Sequence, residues 1–460
     1  MRKKYLYEEI YDYIKRILDE PDIQEDDKLP SKRQLSEVFS ASPLTVDKAY
    51  NLLIDEGAVY AVEKKGYFVG PKIEGFQKTT MTSPLIDMDI KTTPYYDFGT
   101  YAVDTAHFPH QTWAKLTRTV LAEQNEQLLN ETHPLGLYEL RAEIQKHLSV
   151  SRGIHVSPDQ VIIGSSSTQI LNVIIDLLGR DRHYAIEDPS YPQIYHFFQS
   201  QNIKMDLIPV EADGLSLEVL KTSQASVVYA VPSHQFPSGA IMTMQKRKDL
   251  LAWAYENNNR YVIEDDYDSE FRYEGRPLQS LKGVDRFDRV IYTNTFSKSL
   301  APAFRVAYLV LPIPLMRQFH DVSMYYRCTV PNLEQFVLYK FMNENYFQRH
   351  LRRMRKLYLE KLNYMKALTL TIPHLKMKHD GTGLHFLLSF CSIRTEKEII
   401  ELLKEKEILV TGLSTYRHLE NPLKTVDLLI GYAGLSLEKL KVGYPLILKT
   451  ITPLIKPCEK

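Results

Sequence analysis

Val290-Ile291-Tyr292-Thr293-Asn294-Thr295-Phe296-Ser297-Lys298-Ser299-Leu300 decides how this chain is read. An apolar, β-branched run passes into hydroxylated residues, and a lysine follows within a turn. Upstream, Val262-Ile263-Glu264-Asp265-Asp266-Tyr267-Asp268 repeats the pattern, with acids at the end of the run. Arg305 lies one short segment past the lysine. Ligands of an α/β sheet sit beyond the carboxyl ends of its strands. The two runs therefore predict an amine, a carboxylate and a guanidinium gathered at one sheet mouth.

Those groups together suit pyridoxal 5'-phosphate (PLP), which needs an amine to hold its aldehyde as a Schiff base, a carboxylate to keep its ring nitrogen protonated, and a cation for its phosphate. On this reading Lys298 forms the link, its amine made available by burial near Arg305. Asp265 pairs with the ring nitrogen, and Tyr267 reaches the ring hydroxyl. Ser166, Ser167 and Thr168 open the helix after Val161–Gly164 and offer hydroxyls and backbone N–H groups to the phosphate. Arg305 adds charge there, with Thr295 and Ser297 close by. Tyr191, in Glu187-Asp188-Pro189-Ser190-Tyr191-Pro192, follows a strand and is placed to stack on the ring. Singly these signals are weak, because strand-end lysines are usually solvated and Ser/Thr runs usually cap helices. Their order along one sheet joins them.

Working outward, short β-branched runs alternate with helical patterns from residue 97 onward: Val161–Gly164, Tyr184–Glu187, Ser226–Val231, Tyr261–Glu264, Val290–Thr293 and Val306–Leu311. Amphipathic stretches such as Ile170–Leu178 lie between them, which predicts a largely parallel α/β domain over residues 97–345. A smaller α+β lobe is expected over 346–460, with a charged helix at Gln348–Lys366, strands at Gly383–Phe390, Ile408–Leu413 and Asp427–Tyr432, and a helix at Thr395–Lys406. A segment rich in Thr, Ser and Pro, 71–96, reads as a tether.

Residues 1–70 have a different grammar. Ile10, Tyr13, Ile14, Ile17 and Leu18 recur at helical spacing. Ser31 and Gln34 form a capping box for a second helix, and Ser42 with Pro43 starts a third. Val59–Val69 alternates about a turn at Lys64–Gly66. Three helices and a hairpin describe a winged helix-turn-helix. Its third helix is expected in the major groove of double-stranded DNA, with Ser42, Leu44, Thr45 and Lys48 leading. Lys32, Arg33, Lys64 and Lys65 stand where phosphates are gripped. The segment carries 11 basic and 14 acidic residues, so the DNA-facing charge must be sorted by position.

Over the whole chain 57 basic residues balance 57 acidic ones, which excludes a uniformly basic nucleic-acid coat. A 44% apolar and 25% charged composition is that of a globular protein, and at 460 residues it requires more than one core. No apolar stretch is long enough to predict a membrane span, so a cytoplasmic protein is expected. Cys328, Cys391 and Cys458 lie far apart without metal-ligand spacing, so no metal site is expected. They read as separate structural or incidental thiols, in keeping with a reducing compartment.

Leu29-Pro30-Ser31-Lys32-Arg33-Gln34-Leu35, Thr45-Val46-x-x-Ala49-Tyr50 and Glu56-Gly57 resemble the GntR class of bacterial regulators. His133-Pro134-Leu135-Gly136-Leu137-Tyr138-Glu139-Leu140-Arg141, Pro232-Ser233-His234-Gln235-Phe236-Pro237-Ser238-Gly239, Glu264–Phe271 and Thr295–Leu300 resemble the fold-type I aminotransferase domain of MocR/GabR-type regulators. The resemblance implies a winged helix fused to that domain, a homodimer, and cofactor positions at Lys298, Asp265, Tyr267, Tyr191, Arg305 and Ser167. Departures are visible. Aminotransferases of this fold usually carry Asn where Phe236 stands, and a Gly is missing from Ser166-Ser167-Thr168-Gln169. Leu429 occupies the place of their carboxylate-binding Arg. Arg417 is the candidate substitute, and a loop arginine on the surface is the equal alternative.

The expected function is a PLP-dependent transcription factor that senses a small amine or amino acid, or PLP itself. The competing expectation is a working aminotransferase with an accessory N-terminal module, in which the missing Asn and Arg leave at most slow or partial transamination.

Overall fold

Two of the first three helices are started by their capping residues. The computed structural model describes residues 5–71, 95–273, 278–419 and 425–458, and the chain divides into two compact units, Met1–Thr92 and Thr93–Lys460. In the first unit, α1 (Leu6–Leu18) buries Ile10 and Ile14. α2 (Lys32–Val38) begins at the Ser31/Gln34 capping box. α3 (Pro43–Asp55) begins at Ser42, whose hydroxyl accepts from the Thr45 N–H. β1 (Val59–Val62) and β2 (Gly66–Val69) pair antiparallel from Val59↔Val69 to Val62↔Gly66. The tight turn puts Lys64 at φ 64°. Tyr50 and Tyr67 stack at 3.7 Å and tie α3 to the hairpin.

The second unit is built on an eight-stranded sheet with β4 (Val161–Gly164), β5 (Tyr184–Asp188), β6 (Met205–Glu211), β7 (Gly214–Leu215), β8 (Val227–Ala230), β9 (Tyr261–Asp265), β10 (Val290–Thr295) and β11 (Ala307–Val310). β3 (Tyr96–Asp97) belongs elsewhere. The order is β4-β11-β10-β9-β8-β5-β6-β7. The contacts β10–β9, β9–β8, β8–β5 and β5–β6 are parallel, so the carboxyl ends of β5, β8, β9 and β10 open on one side. β11 runs antiparallel to both neighbours. Successive residues of β10 feed different cores, Ile291 on one side and Val290 and Tyr292 on the other. This two-sided burial explains the nearly unbroken apolar runs. β6 was not expected from the sequence, because Pro209 interrupts a run that otherwise reads as a strand.

The C-terminal lobe pairs β12 (Lys376–Lys378), β13 (His385–Ser392), β16 (Val426–Gly431) and β15 (Thr411–Gly412) in that order. A 24-residue helix, Tyr346–Thr369, leads into it. β14 (Ile408–Leu409) pairs in parallel with β3. Tyr96, expected to end the tether, is therefore a strand residue of the folded unit. Most of the expected tether lies outside the described residues. β17 (Ile455–Lys456) pairs with the end of β13, and Cys391 and Cys458 are joined by a disulfide. The reading of three separate thiols is corrected to one bridge plus Cys328. The 67 intervening residues hid this proximity, since only the returning β17 creates it.

Gly431 N–H donates to the Phe98 carbonyl at 2.8 Å, clamping β16 against the segment after β3. A side chain at 431 would collide with the Gly99 backbone, whose carbonyl carbon is 2.8 Å from the Cβ position. Gly431→Ala should therefore cost on the order of 1–3 kcal/mol through overpacking. A thermal melt of the full chain with an unchanged midpoint would show that this backbone contact is dispensable.

Candidate functional site

The parallel strands deliver their last residues to one cavity of about 330 Å³. Asp265 closes β9, and its neighbour in register is Thr293 of β10. β10 passes without a loop into the short helix Phe296–Ser299, which holds Lys298. The side chains of Lys298, Asp265, Tyr267, Tyr191, Ser166, Ser167, Thr168, Thr295, Ser297 and Arg305 all line this cavity. Sequence reasoning had placed them in one site, and the topology brings them together.

Lys298 Nζ donates to the Thr100 carbonyl at 2.7 Å and lies 3.4 Å from that of Tyr101. Burial pushes its pKa down to about 8, while Asp268 pulls it upward. Burial thus carries the effect expected from the sequence, without the contribution assigned there to Arg305. Asp265 shows the converse. Burial raises its carboxyl to about 7 against the donor hydroxyl of Tyr229, with Asp266 and Asp268 adding repulsion. Removal of water thus shifts both groups toward their uncharged forms, and the pull of Asp268 on Lys298 offsets that only in part.

At the other end of the cavity, Ser166 caps helix Ser167–Leu178 by accepting from the Gln169 N–H. Thr295 accepts from the Ser297 N–H at 3.1 Å and donates to the Ser297 hydroxyl at 3.0 Å. Arg305 stands on the same wall. Tyr191 meets Phe236 edge-on at 5.5 Å. An amine, an acid short of a cation, and a hydroxyl-rich helix start beside an arginine fit the three ends of PLP. Cation and hydroxyls suit the phosphate, Asp265 the ring nitrogen, and Lys298 the aldehyde.

Several lining residues were not anticipated. Glu187, at the end of β5, is 2% exposed. Its Oε2 accepts from the Val231 N–H and the Gln235 amide, while Oε1 has no partner. Burial raises its pKa to about 8. It sits in the stretch quoted for Tyr191, where a strand-end acid was the available signal. Tyr229, Asp268 and His385 also line the cavity. Arg417 does not: it follows the turn Leu413–Tyr416 and is not among the lining side chains. Leu429 is buried in an apolar cluster with Phe236, Leu413 and Tyr416.

In the first unit, Leu44 of α3 is 80% exposed and Thr45 and Lys48 share its rim. Lys48 Nζ lies 4.0 Å over the Tyr7 ring. Arg33 is exposed and pairs with Glu37 at 3.1 Å. Lys64 and Lys65 are exposed at the hairpin tip. Ser42 spends its hydroxyl on the helix cap. Lys32, expected to grip phosphate, is engaged by Asp47, whose carboxylate also accepts from Tyr67. That pairing holds Asp47 below the usual carboxylate range.

Fold and geometry together define a winged-helix module joined to an aminotransferase-like domain. Residues 6–69 match the family of bacterial regulatory proteins, gntR family, and residues 96–443 match aminotransferase class I and II. The chain is 36% identical over 447 residues to the uncharacterized HTH-type transcriptional regulator YdeL of Bacillus subtilis (strain 168), covering 95% of each chain. It is 27% identical over 459 residues to the probable rhizopine catabolism regulatory protein MocR of Rhizobium meliloti, covering 95% of this chain and 92% of that one. It is also 27% identical over 410 residues to the pyridoxine biosynthesis transcriptional regulator PdxR of Corynebacterium glutamicum, covering 89% and 88%. The crystal structure of Pyrococcus horikoshii kynurenine aminotransferase superposes with a TM-score of 0.68 at 25% identity, covering 80% of this chain and 93% of that one. The chain belongs to the MocR/GabR-type subfamily of GntR transcriptional regulators. No helix among the described residues is long and apolar enough to cross a membrane.

The raised Asp265 pKa sets a pH dependence. The folded carboxyl keeps its proton to about 7, whereas the unfolded one loses it near 3.8. Stability of the cofactor-free protein therefore falls as pH rises through that window. Asp265→Asn removes this slope, so the cofactor-free variant should melt a few degrees above wild type at pH ~8 and level with it near pH ~4. Parallel melting curves across the window would refute the burial of an uncompensated acid.

Proposed function

We propose that this regulator holds PLP on Lys298 and reports its state, or that of a small amine or amino acid, to the DNA-binding module. The carrying observation is that one cavity desolvates an amine and a carboxyl, and among the described residues neither forms a salt bridge. PLP, when bound, supplies an electrophilic carbonyl and an electron-withdrawing ring. Asp265 would hold the proton on the ring nitrogen. Ser166, Ser167, Thr168, Thr295 and Ser297, with Arg305, would bind the phosphate, and Tyr191 would cover the ring face. The Lys298 amine, lowered to about 8 by burial, is available as a nucleophile near neutral pH.

An amine effector would compete with Lys298 for the carbonyl that PLP supplies. With its side chain unlinked, Lys298 Nζ would donate to the Thr100 carbonyl, the contact seen here at 2.7 Å. Thr100 follows β3, which pairs with β14 of the C-terminal lobe. Occupancy at Lys298 thereby biases a strand segment shared by both lobes, which supplies the differential contact a switch requires. The pyridoxine regulator among the relatives supports PLP itself as a signal. The protein is read as a cytoplasmic homodimer on paired operator half-sites. Leu44, Thr45, Lys48 and Ser42 would face base edges, and Arg33, Lys64 and Lys65 phosphates, with Lys32 acting chiefly through Asp47.

Lys298→Ala should abolish the visible absorbance of the PLP-loaded protein and its labelling by borohydride, while leaving the melting curve of the cofactor-free chain nearly unchanged. Labelling at another lysine would refute the assignment. Rapid steady-state keto-acid formation from amino donors would instead establish an enzyme. For DNA, replacing Lys64 and Lys65 by Ala should weaken operator binding about equally for matched and mismatched sites and reduce the slope of log affinity against log salt by about 1–2. An unchanged slope would remove the hairpin tip from the interface.

A further inference from the structure

Behind Tyr267 lies a buried polar group that the cofactor reading does not use. His234 Nδ1 is 2.8 Å from Asp268 Oδ2 and 3.2 Å from the Tyr267 hydroxyl. The two side chains of the pair are 0% and 2% exposed. A carboxylate accepts, so Nδ1 carries the hydrogen. Tyr267 and Asp268 face the cofactor cavity, whereas His234 stands behind them. The nearby cavity wall formed by Phe236 offers no donor.

The pair is held from the C-terminal lobe. Gly383 has φ +74°, and a Cβ there would fall inside the His234 imidazole and 2.7 Å from Asp268 Oδ2. Its carbonyl accepts from the Tyr432 hydroxyl at 2.7 Å, and its N–H donates to Phe271 at 2.6 Å. The His385 ring lies 4.4 Å from that of His234. Only glycine lets the lobe's backbone press against this pair.

We propose that the His234–Asp268 pair is a positioning device that keeps Tyr267 a hydrogen-bond donor to the ring oxygen of the cofactor, and that Gly383 couples it to the position of the C-terminal lobe. The proposal rests on the PLP reading above. Burial opposes loss of the phenol's proton, and the neighbouring charge of Asp268 adds to it. In the cofactor-free protein the phenol's own hydrogen is shared with Asp268; the Nδ1–H, directed at Asp268 and the Tyr267 oxygen, competes for that carboxylate and lets the phenol turn its hydrogen to a ring oxygen. A lobe movement that lifts Gly383 would loosen His234 and weaken that donation, so lobe arrangement and cofactor electronics become one equilibrium.

The full-length protein, loaded with PLP, provides the test. The visible band near ~420 nm changes with pH about a midpoint set by the groups facing the ring. These are Asp265, Tyr229 and Glu187 on the sheet, Lys298 and Arg305 after β10, Tyr267 and Asp268 after β9, Tyr191 after β5, Tyr101 after β3, and His385 on β13. Losing the donor to the ring oxygen should raise that midpoint. His234→Leu and Gly383→Ala should each raise it by about one pH unit, a tenfold change, and weaken PLP binding. His234→Asn, whose amide nitrogen replaces Nδ1, should restore most of the shift; His234→Gln, which reaches the Nε2 position, should not. A merely structural role would lower the melting temperature of the cofactor-free chain without separating Asn from Gln. If His234→Leu does not fold, the Asn and Gln pair decides. A wild-type midpoint in H234L or H234Q, with Tyr267→Phe shifting it, overturns this inference and leaves the PLP reading intact. Absence of the band in wild type, with Lys298 unlabelled by borohydride, overturns both.

Discussion

Everything at the sheet mouth depends on two ionisable groups taken out of water and kept from each other. Lys298 is directed to a backbone carbonyl and Asp265 to a tyrosine hydroxyl. A salt bridge between them would have neutralised both cheaply. The fold instead spends each on a neutral partner, so burial drives the amine and the acid toward their uncharged forms. The space left between such groups suits a ligand that brings a carbonyl to one and a cationic ring nitrogen to the other. Glu187 adds a third buried acid at the same mouth, with one oxygen lacking a partner.

The second constraint is where the cavity's walls come from. Asp265, Tyr267 and Lys298 stand on the large sheet. Thr100 and Tyr101 arrive on the segment that begins with β3 and is stapled to β14 and β16. Leu384 and His385 come from the start of β13. Lys298 therefore stands in a cavity walled by elements of both lobes. Two-lobe domains move as packed bodies and respond to a ligand by its difference in affinity for two arrangements. The Gly383 backbone against His234 is one contact that such a movement must break or keep.

The parts legible in the sequence were those carried by strand ends and caps. Lys298, Asp265 and the Ser166–Thr168 cluster could be read because a parallel sheet sends its carboxyl termini to one side, whatever the loops do. The helix starts at Ser31 and Ser42 could be read because capping is local. What escaped was non-local or masked. β6 was hidden by Pro209, and the Cys391–Cys458 link by a returning strand of two residues. The His234, Asp268 and Gly383 contact is built from three segments, none with a period. Lys32 was placed on position alone, and its half-exposed ion pair with Asp47, one turn into α3, is a contact that position does not reveal. Burial of Lys298 was legible at the strand end, whereas the charge that acts on it, Asp268 in place of Arg305, was not.

The lining chemistry bears on what the sensor can hold. Among the described side chains of the cavity, Lys298 and Arg305 are the cations besides the imidazole of His385, and burial holds that imidazole well below its usual pKa and hence neutral. If Arg305 serves the phosphate and Lys298 the aldehyde, no fixed cation of the lining remains for a ligand carboxylate. The surface where such a clamp would be expected is instead the apolar cluster of Leu429, Leu413, Tyr416 and Phe236. A carboxylate brought there without a partner would bear the full cost of its desolvation. Under the proposed assignment, a ligand carboxylate in this cavity would have to find its partner outside the described lining. A transaminase must hold its donor and acceptor acids repeatedly, and it is for that task that the lining supplies the fewest groups.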